Sequence, residues 1–136
     1  MIPIILFTLG YKENTDERVY LSSLKSFEIL LYEAFQKENK FLESYTSDIL
    51  KKLLFMCQYQ NNMNIRLQAL KCLNDLATRF SPNKLIQFQK HVCKSLEPCL
   101  NDKKRLCRQR AVEARNKWYI LHLNIILWAC TKRFIL

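Results

Sequence analysis

The side chains best suited to catalysis or metal binding in this 136-residue chain are six cysteines and two histidines. They are Cys57, Cys72, Cys93, Cys99, Cys107, Cys130, His91 and His122. No two of the cysteines have the Cys-x-x-Cys spacing that zinc knuckles, thioredoxin-like sites and ferredoxin loops use. Most of the cysteines stand among apolar residues at helical spacing, where a thiol behaves as a small hydrophobe. We therefore predict reduced core cysteines, as in cytosolic or nuclear proteins.

No nucleophile and base are paired in the sequence. Cys93 follows His91 by two residues, and side chains two apart on a helix point to different sides. Zinc-protease, serine-hydrolase and calcium-loop motifs are absent, and the single glycine, Gly10, excludes a Gly-rich phosphate loop. The sequence therefore predicts a protein without catalytic residues, metal ligands or cofactor, and not an enzyme.

The elements that carry these residues are predicted to be helices. Gly10 and the three prolines, Pro3, Pro82 and Pro98, are too few for the turns of a β-sandwich or barrel. Apolar residues recur at helical spacing between short polar breaks. Ser81 and Pro82 are typical of a helix start, and Asn101 or Asp102 is predicted to cap the last helix.

Three of the helices resemble one another. Residues 20–24, 66–70 and 108–112 align at offsets of 46 and 42. A helix-pair period of about 40–47 residues is typical of HEAT and armadillo repeats. We predict an all-α, right-handed solenoid of about three HEAT repeats, residues 1–36, 40–80 and 82–121, with an apolar tail, 122–136, of no assigned role. In such arrays we expect Arg66 and Arg108 to bridge to an acidic or polar residue of an adjacent repeat.

The charge of the chain is divided between its halves. Residues 1–60 carry a net charge of −1 and residues 61–136 carry +11. The basic half is predicted to face an acidic partner. The candidate partners are nucleic acid, an anionic membrane and an acidic protein surface. Met1–Leu9 lacks the basic region and cleavage site of a signal peptide. Trp118–Cys130 is shorter than the roughly 20 apolar residues that cross a membrane, so no span is predicted.

Residues 101–118 form the most distinctive stretch, with seven basic and two acidic residues. Helical spacing places Lys104, Arg108 and Arg115 near one side, and Arg110 and Lys117 on another. The stretch is interpreted either as a solvated basic face or as a docking surface for an acidic partner. Trp118 could anchor an interface or close the core of the last repeat. The candidate partner-binding residues are Lys103, Lys104, Arg105, Arg108, Arg110, Arg115 and Trp118.

The run from Asp102 to Arg108, with Ala111-Val112, Ala114-Arg115 and Trp118, resembles the extreme C-terminus of the "MMS nineteen" family, a HEAT-repeat scaffold named for methyl-methanesulfonate sensitivity. Residues 65–73 and 76–79 resemble its penultimate repeat, and the similarity runs from about residue 2 to 121. Cys107 stands where a β-branched aliphatic residue is usual, and Arg110 where an acidic residue often is. Residues 2–9 are predicted to form an apolar helix with no partner before it. We therefore expect this chain to be the C-terminal part of a longer solenoid, or residues 2–9 to dock on something else.

The resemblance implies a role. The family is the large adaptor of the cytosolic iron–sulfur assembly targeting complex, and its C-terminal domain holds a small cluster-transfer subunit and a WD40 propeller subunit. The complex serves iron–sulfur apoproteins such as the TFIIH helicase, DNA polymerases and primase. Members occur in cytoplasm and nucleus, and some at the mitotic spindle. We expect a non-catalytic scaffold. The alternatives are a basic helical-repeat module that binds nucleic acid or another acidic partner, and an unrelated transport-type array.

Overall fold

The computed structural model describes residues 17–36, 45–123 and 125–127, and every regular element within these ranges is a helix. The α-helices are α1 Glu17–Gln36, α2 Thr46–Cys57, α3 Met63–Arg79, α4 Pro82–Leu85, α5 Gln89–Ser95 and α6 Arg105–Tyr119. Single 3₁₀ turns, Ile86–Phe88 and Pro98–Asn101, flank α5, and residues 121–123 and 125–127 are also helical. The all-α prediction is confirmed. The predicted apolar helix at residues 2–9 lies outside the described residues.

The helices form two layers. In one layer α1, α3 and α6 lie side by side, with α3 in the middle. In the other layer α2 packs against α3, α5 packs against α6, and α2 contacts α5. The hairpin of α2 and α3 is therefore stacked on the hairpin that ends in α6, as in a helical-repeat solenoid. The repeat limits 1–36, 40–80 and 82–121 stay a prediction.

Apolar residues at helical spacing on α3 build its contacts with the neighbouring helices. Ile65, Ala69, Cys72 and Leu76 follow one face of α3, and none of them has any exposed surface. The Cys72 thiol lies 3.6 Å from the carbonyl oxygen of Leu24, so α1 and α3 approach closely. Side chains this small let neighbouring helices pack near the short end of the usual interaxial range.

The structure confirms one of the two predicted helix starts and corrects the other. Ser81 is the N-cap of α4 and Pro82 its first residue, as predicted, although the Ser81 side chain makes no capping hydrogen bond. The predicted cap of the last helix was wrong, because α6 begins at Arg105 and its N-cap is Lys104. The Asp102 carboxylate accepts a 2.8 Å hydrogen bond from the Lys104 N–H and orders the turn before the helix. Its other contact, with Arg66, holds it outside the helix.

The aligned positions of the repeats differ in environment at the edge of the stack. Leu70 of α3 is 1% exposed, whereas Val112, its equivalent in α6, is 46% exposed. The middle helix has neighbours on both sides, but in the part of the chain that is described no helix covers the far side of α6. The same repeat pattern therefore gives a core residue in one copy and a surface residue in the next.

We predict that Trp118→Ala lowers the free energy of unfolding by about 3–5 kcal/mol, because it leaves a large cavity in the core. Trp118 has no exposed surface, and its indole N–H donates a 3.0 Å hydrogen bond to the carbonyl of Leu73. Urea unfolding followed by far-UV circular dichroism measures the change. Tyr119→Ala is the control, since 58% of Tyr119 is exposed. Equal unfolding midpoints for the two variants would contradict the packing described.

Candidate functional site

The turn before α6 is held by an ion pair between two neighbouring hairpins. The guanidinium of Arg66, at the start of α3, contacts Asp102 through two hydrogen bonds of 2.7 and 3.2 Å. Both side chains are nearly buried, at 5% and 9% exposure. Burial by itself lowers the pKa of Arg66, but the hydrogen bonds and charge of Asp102 outweigh it and raise that pKa. The predicted bridge from Arg66 to an acidic residue of the adjacent repeat is confirmed.

Each of the two equivalent arginines also binds the turn that precedes its own helix. Arg66 donates to the carbonyls of Tyr59 and Gln60 at 3.0 and 3.1 Å. Arg108 donates to the carbonyls of Asp102 and Lys103 at 2.7 and 3.3 Å. The bridge predicted from Arg108 to an adjacent repeat was wrong, because its guanidinium binds backbone carbonyls of its own hairpin. In the turn that contains Asp102, Arg66 binds the Asp102 carboxylate and Arg108 binds two backbone carbonyls. These contacts fix the backbone of the turn.

This fixed turn presents three cations to solvent. Lys103, Lys104 and Arg105 are exposed, whereas Arg108 is half-buried beneath them. We call Lys103, Lys104 and Arg105 the basic turn. Because the backbone is already ordered, an acidic partner that binds here pays little of the usual entropic cost of ordering a loop.

The other predicted docking residues lie elsewhere, on both sides of α6. Arg110 forms a 2.9 Å ion pair with Glu113 and faces a groove over α1 and α3 of about 520 Å³. Arg115 lies on the opposite side, where its Nε donates to the carbonyl of Cys93 at 3.4 Å. The helical spacing predicted this separation. The structure therefore divides the predicted residues among three surfaces instead of joining them in one.

The proposal of Trp118 as a binding residue needs correction. Its side chain is fully buried and hydrogen-bonded to α3, so it can reach a partner only if α6 detaches. The alternative that Trp118 closes the core of the last repeat is confirmed. Tyr119, the next residue, is exposed. One step along a helix turns a side chain by about 100°, which is enough to separate a core tryptophan from a surface tyrosine.

The cysteines are core residues, as predicted. All five that the structure describes are free and buried. Burial raises the pKa of each thiol, to about 11 for Cys99, so these thiols are neutral at pH 7. Within the described ranges no three Cys, His, Asp or Glu side chains are grouped to hold a metal ion, and no helix is long and apolar enough to cross a membrane.

Sequence reasoning missed several residues that shape these surfaces. Asp102 was predicted to be a cap, and only the stacking of the hairpins shows that it is the partner of Arg66. Lys90, Lys94 and His122 line a cleft with Arg115. The spacing of four between Lys90 and Lys94 was a readable signal that they share a helix face. Nothing in the sequence showed that α6 lies opposite them.

We predict that Asp102→Ala destabilises the protein by about 3–5 kcal/mol, because it leaves the Arg66 charge buried and unpaired. Chemical denaturation at neutral pH measures the effect. Glu113→Ala is the matched control, since it breaks an exposed arginine pair worth under about 1 kcal/mol. The double variant R66M/D102L removes both buried charges and is expected to recover part of the loss. Equal losses of stability in Asp102→Ala and Glu113→Ala would show that the buried ion pair stabilises the protein no more than the exposed pair does.

We predict that stability falls as the pH rises from about 8.5, the usual thiol value, towards 11. The pKa of Cys99 is raised by burial to about 11 in the folded chain, so the unfolded chain loses its proton first. One such group lowers stability by about 1.4 kcal/mol per pH unit within that window and has no effect below it. Urea titrations at several pH values measure the slope. Cys99→Ala should make the slope shallower. An unchanged slope would show that the Cys99 thiol does not cause the loss of stability at high pH.

Comparison with known proteins finds relatives that are named as DNA repair proteins, whereas no family model matches the chain. It is 30% identical over 122 residues to the "MMS19 nucleotide excision repair protein homolog" of Dictyostelium discoideum, covering 89% of this chain and 11% of that protein. It is 34% identical over 122 residues to the "DNA repair/transcription protein mms19" of Schizosaccharomyces pombe, covering 88% and 11%. The human homologue is 34% identical over 103 residues, covering 76% and 9%.

The chain thus spans about a tenth of the length of these relatives. Their names describe nucleotide excision repair and DNA repair or transcription proteins. The similarity covers most of the chain, including the repeats that build the core. The resemblance drawn from residues 65–73 and 102–118 is confirmed, and the chain belongs to the MMS19 nucleotide excision repair protein family.

Proposed function

We propose that this chain is a non-catalytic docking module of the cytosolic iron–sulfur assembly targeting complex. It holds the small cluster-transfer subunit and the WD40 propeller subunit, and so helps to deliver clusters to repair, replication and transcription apoproteins. The clients are the TFIIH helicase, DNA polymerases and primase. The proposed location is the cytoplasm and nucleus, including the mitotic spindle. The observation that carries the proposal is the basic turn, which is exposed, cationic and held on a fixed backbone.

The basic turn has the properties of a docking surface for an acidic partner. Arg66 and Arg108 bind the backbone beneath it, so the three exposed cations keep a defined arrangement. Opposite charges across an interface speed encounter and fix the orientation of the partners. The groove over α1 and α3 adds a second surface, in which Leu21 and Leu67 lie among charged residues. Together these surfaces offer contact to a partner on two sides of α6.

The chemistry of the described residues supports a scaffold rather than an enzyme. The thiols are buried, and their raised pKa values keep them protonated, which opposes nucleophilic attack and metal binding. His91 is exposed and Cys93 buried, so these neighbours face different environments. The family names describe repair and transcription proteins and do not name a reaction.

Nucleic-acid binding is the competing function, because the second half of the chain is strongly basic. Proteins that hold single strands stack bases on aromatic rings beside their cations. Along α6 the exposed ring is that of Tyr119, fourteen residues from Arg105 and therefore roughly 20 Å away along the helix axis. The basic turn thus lacks a stacking platform among its described neighbours.

We predict that the variant K103E/K104E/R105E binds the cluster-transfer subunit or the propeller subunit at least about tenfold more weakly than the parent chain. Purified subunits and biolayer interferometry measure the affinity, and circular dichroism checks helix content. Arg108 stays unchanged because it holds the turn. The matched control is K51E/K84E/K117E, which makes the same change in net charge at exposed lysines outside the basic turn and the groove.

Unchanged binding by the K103E/K104E/R105E variant would show that the basic turn is not the docking surface. Equal weakening by the control variant would reduce the effect to net charge. Tight binding to duplex DNA with a steep salt dependence, lost in the same variant, would favour the nucleic-acid function instead.

A further inference from the structure

The cleft between α5 and α6 has a composition that the basic turn does not share. It measures about 480 Å³, and its lining residues include Lys90, Lys94, Glu97, Arg115 and His122, besides the thiol of Cys93 and the phenol of Tyr119. Lys90 and Lys94 lie one turn apart on α5, and Arg115 faces them from α6. Three permanent cations therefore surround one cleft that contains a single carboxylate.

The cations of the cleft are available to a ligand. Among the residues whose placement is described, neither Lys90 nor Lys94 has an ion-pair partner, and both are exposed. The Arg115 guanidinium is 3.9 Å from the carboxylate of Glu97, a long contact, and Glu97 is 62% exposed. A pair of this kind contributes little and is easily exchanged for a ligand carboxylate.

The cleft is also preorganised. Arg115 donates its Nε–H to the carbonyl of Cys93, and its guanidinium lies 5.8 Å from the centre of the Tyr119 ring. The Gln89 amide donates to the carbonyls of Trp118 and Tyr119 at 3.0 and 2.8 Å, which ties the start of α5 to the end of α6. An arginine held in this way loses less side-chain entropy when it binds an anion.

We propose that this cleft binds an acidic peptide segment of a partner protein, in extended conformation, with alternate carboxylates paired to Lys90, Lys94 and Arg115. Residues one helical turn apart have Cβ atoms about 5–6 Å apart, and alternate residues of an extended peptide are about 6.7 Å apart. The two spacings match closely enough for one carboxylate per lysine. The cleft volume also exceeds the needs of a single small anion and lies in the range of ligand pockets, about 300–1,000 Å³.

Glu97 favours a peptide over a nucleic-acid backbone. The N–H groups of a peptide can donate to the Glu97 carboxylate, whereas a phosphodiester backbone has no donor and is repelled by it. The exposed aromatic ring of the cleft, Tyr119, is already close to Arg115 and offers little room for base stacking. The site does not depend on the proposed docking role of the basic turn, with which it shares no residue.

The test uses the full 136-residue chain and a fluorescein-labelled peptide of alternating Glu and Ser residues, with a Gln–Ser peptide as control ligand. Anisotropy is measured in 0.15 M salt, where the Debye length is about 8 Å and distant charges are screened. We expect K90E/K94E to weaken binding at least about tenfold, and E97Q to tighten it about two- to fivefold, because Arg115 loses its competing carboxylate.

One control variant keeps the outcome specific to the cleft. K51E/K117E has the same charge change as K90E/K94E at exposed lysines elsewhere. It should bind the acidic peptide within about twofold of the parent chain, since its charges lie outside the cleft. K90Q/K94Q, with helix content checked by circular dichroism, repeats the test with a smaller perturbation.

Several results would overturn the proposal. They are binding of the Gln–Ser peptide as tight as that of the acidic one, unchanged binding by K90E/K94E and K90Q/K94Q, or equal loss in K51E/K117E. Displacement of the peptide by sodium phosphate but not by sodium chloride at equal ionic strength would identify a phosphate site. Tighter binding of single-stranded DNA, lost in K90E/K94E, would identify a nucleic-acid site.

Discussion

The ion pair between Arg66 and Asp102 joins two neighbouring hairpins at the point where the last helix begins. Two buried charges are costly to take out of water, and the cost is offset here because each finds a partner with good geometry. Arg66 also satisfies two carbonyls of the preceding turn, while Arg108 satisfies two carbonyls of the turn that contains Asp102. The apolar core stacks the hairpins, and this arrangement positions the turn before α6 and the cations that it carries.

The same arrangement separates the charges that bind groups within the protein from the charges that are available to a partner. Arg66 and Arg108 are occupied within the protein, whereas Lys103, Lys104 and Arg105 project from the ordered turn. A high net charge therefore does not form one continuous basic face. It is distributed over a turn, a groove and a cleft, and each presents a different geometry to a partner. A scaffold that must hold more than one subunit can use separate surfaces of this kind.

The core carries little chemistry. Its thiols pack between helices as small apolar groups, and burial raises their pKa values. The relatives of the chain are named as DNA repair and transcription proteins. The chain spans about a tenth of the length of these relatives.

The sequence by itself determined the helices, the repeat, the buried cysteines and the two sides of α6, because each of these follows from spacing along one chain. It also carried the family resemblance. Only the tertiary structure decided that Asp102 pairs with Arg66, that Trp118 is core while Tyr119 is exposed, and that Lys90 faces Arg115. These depend on which helix lies beside which, and on how far each is rotated about its axis. Periodicity gives the face of a helix but not its neighbour, so contacts between hairpins could not be predicted from spacing alone.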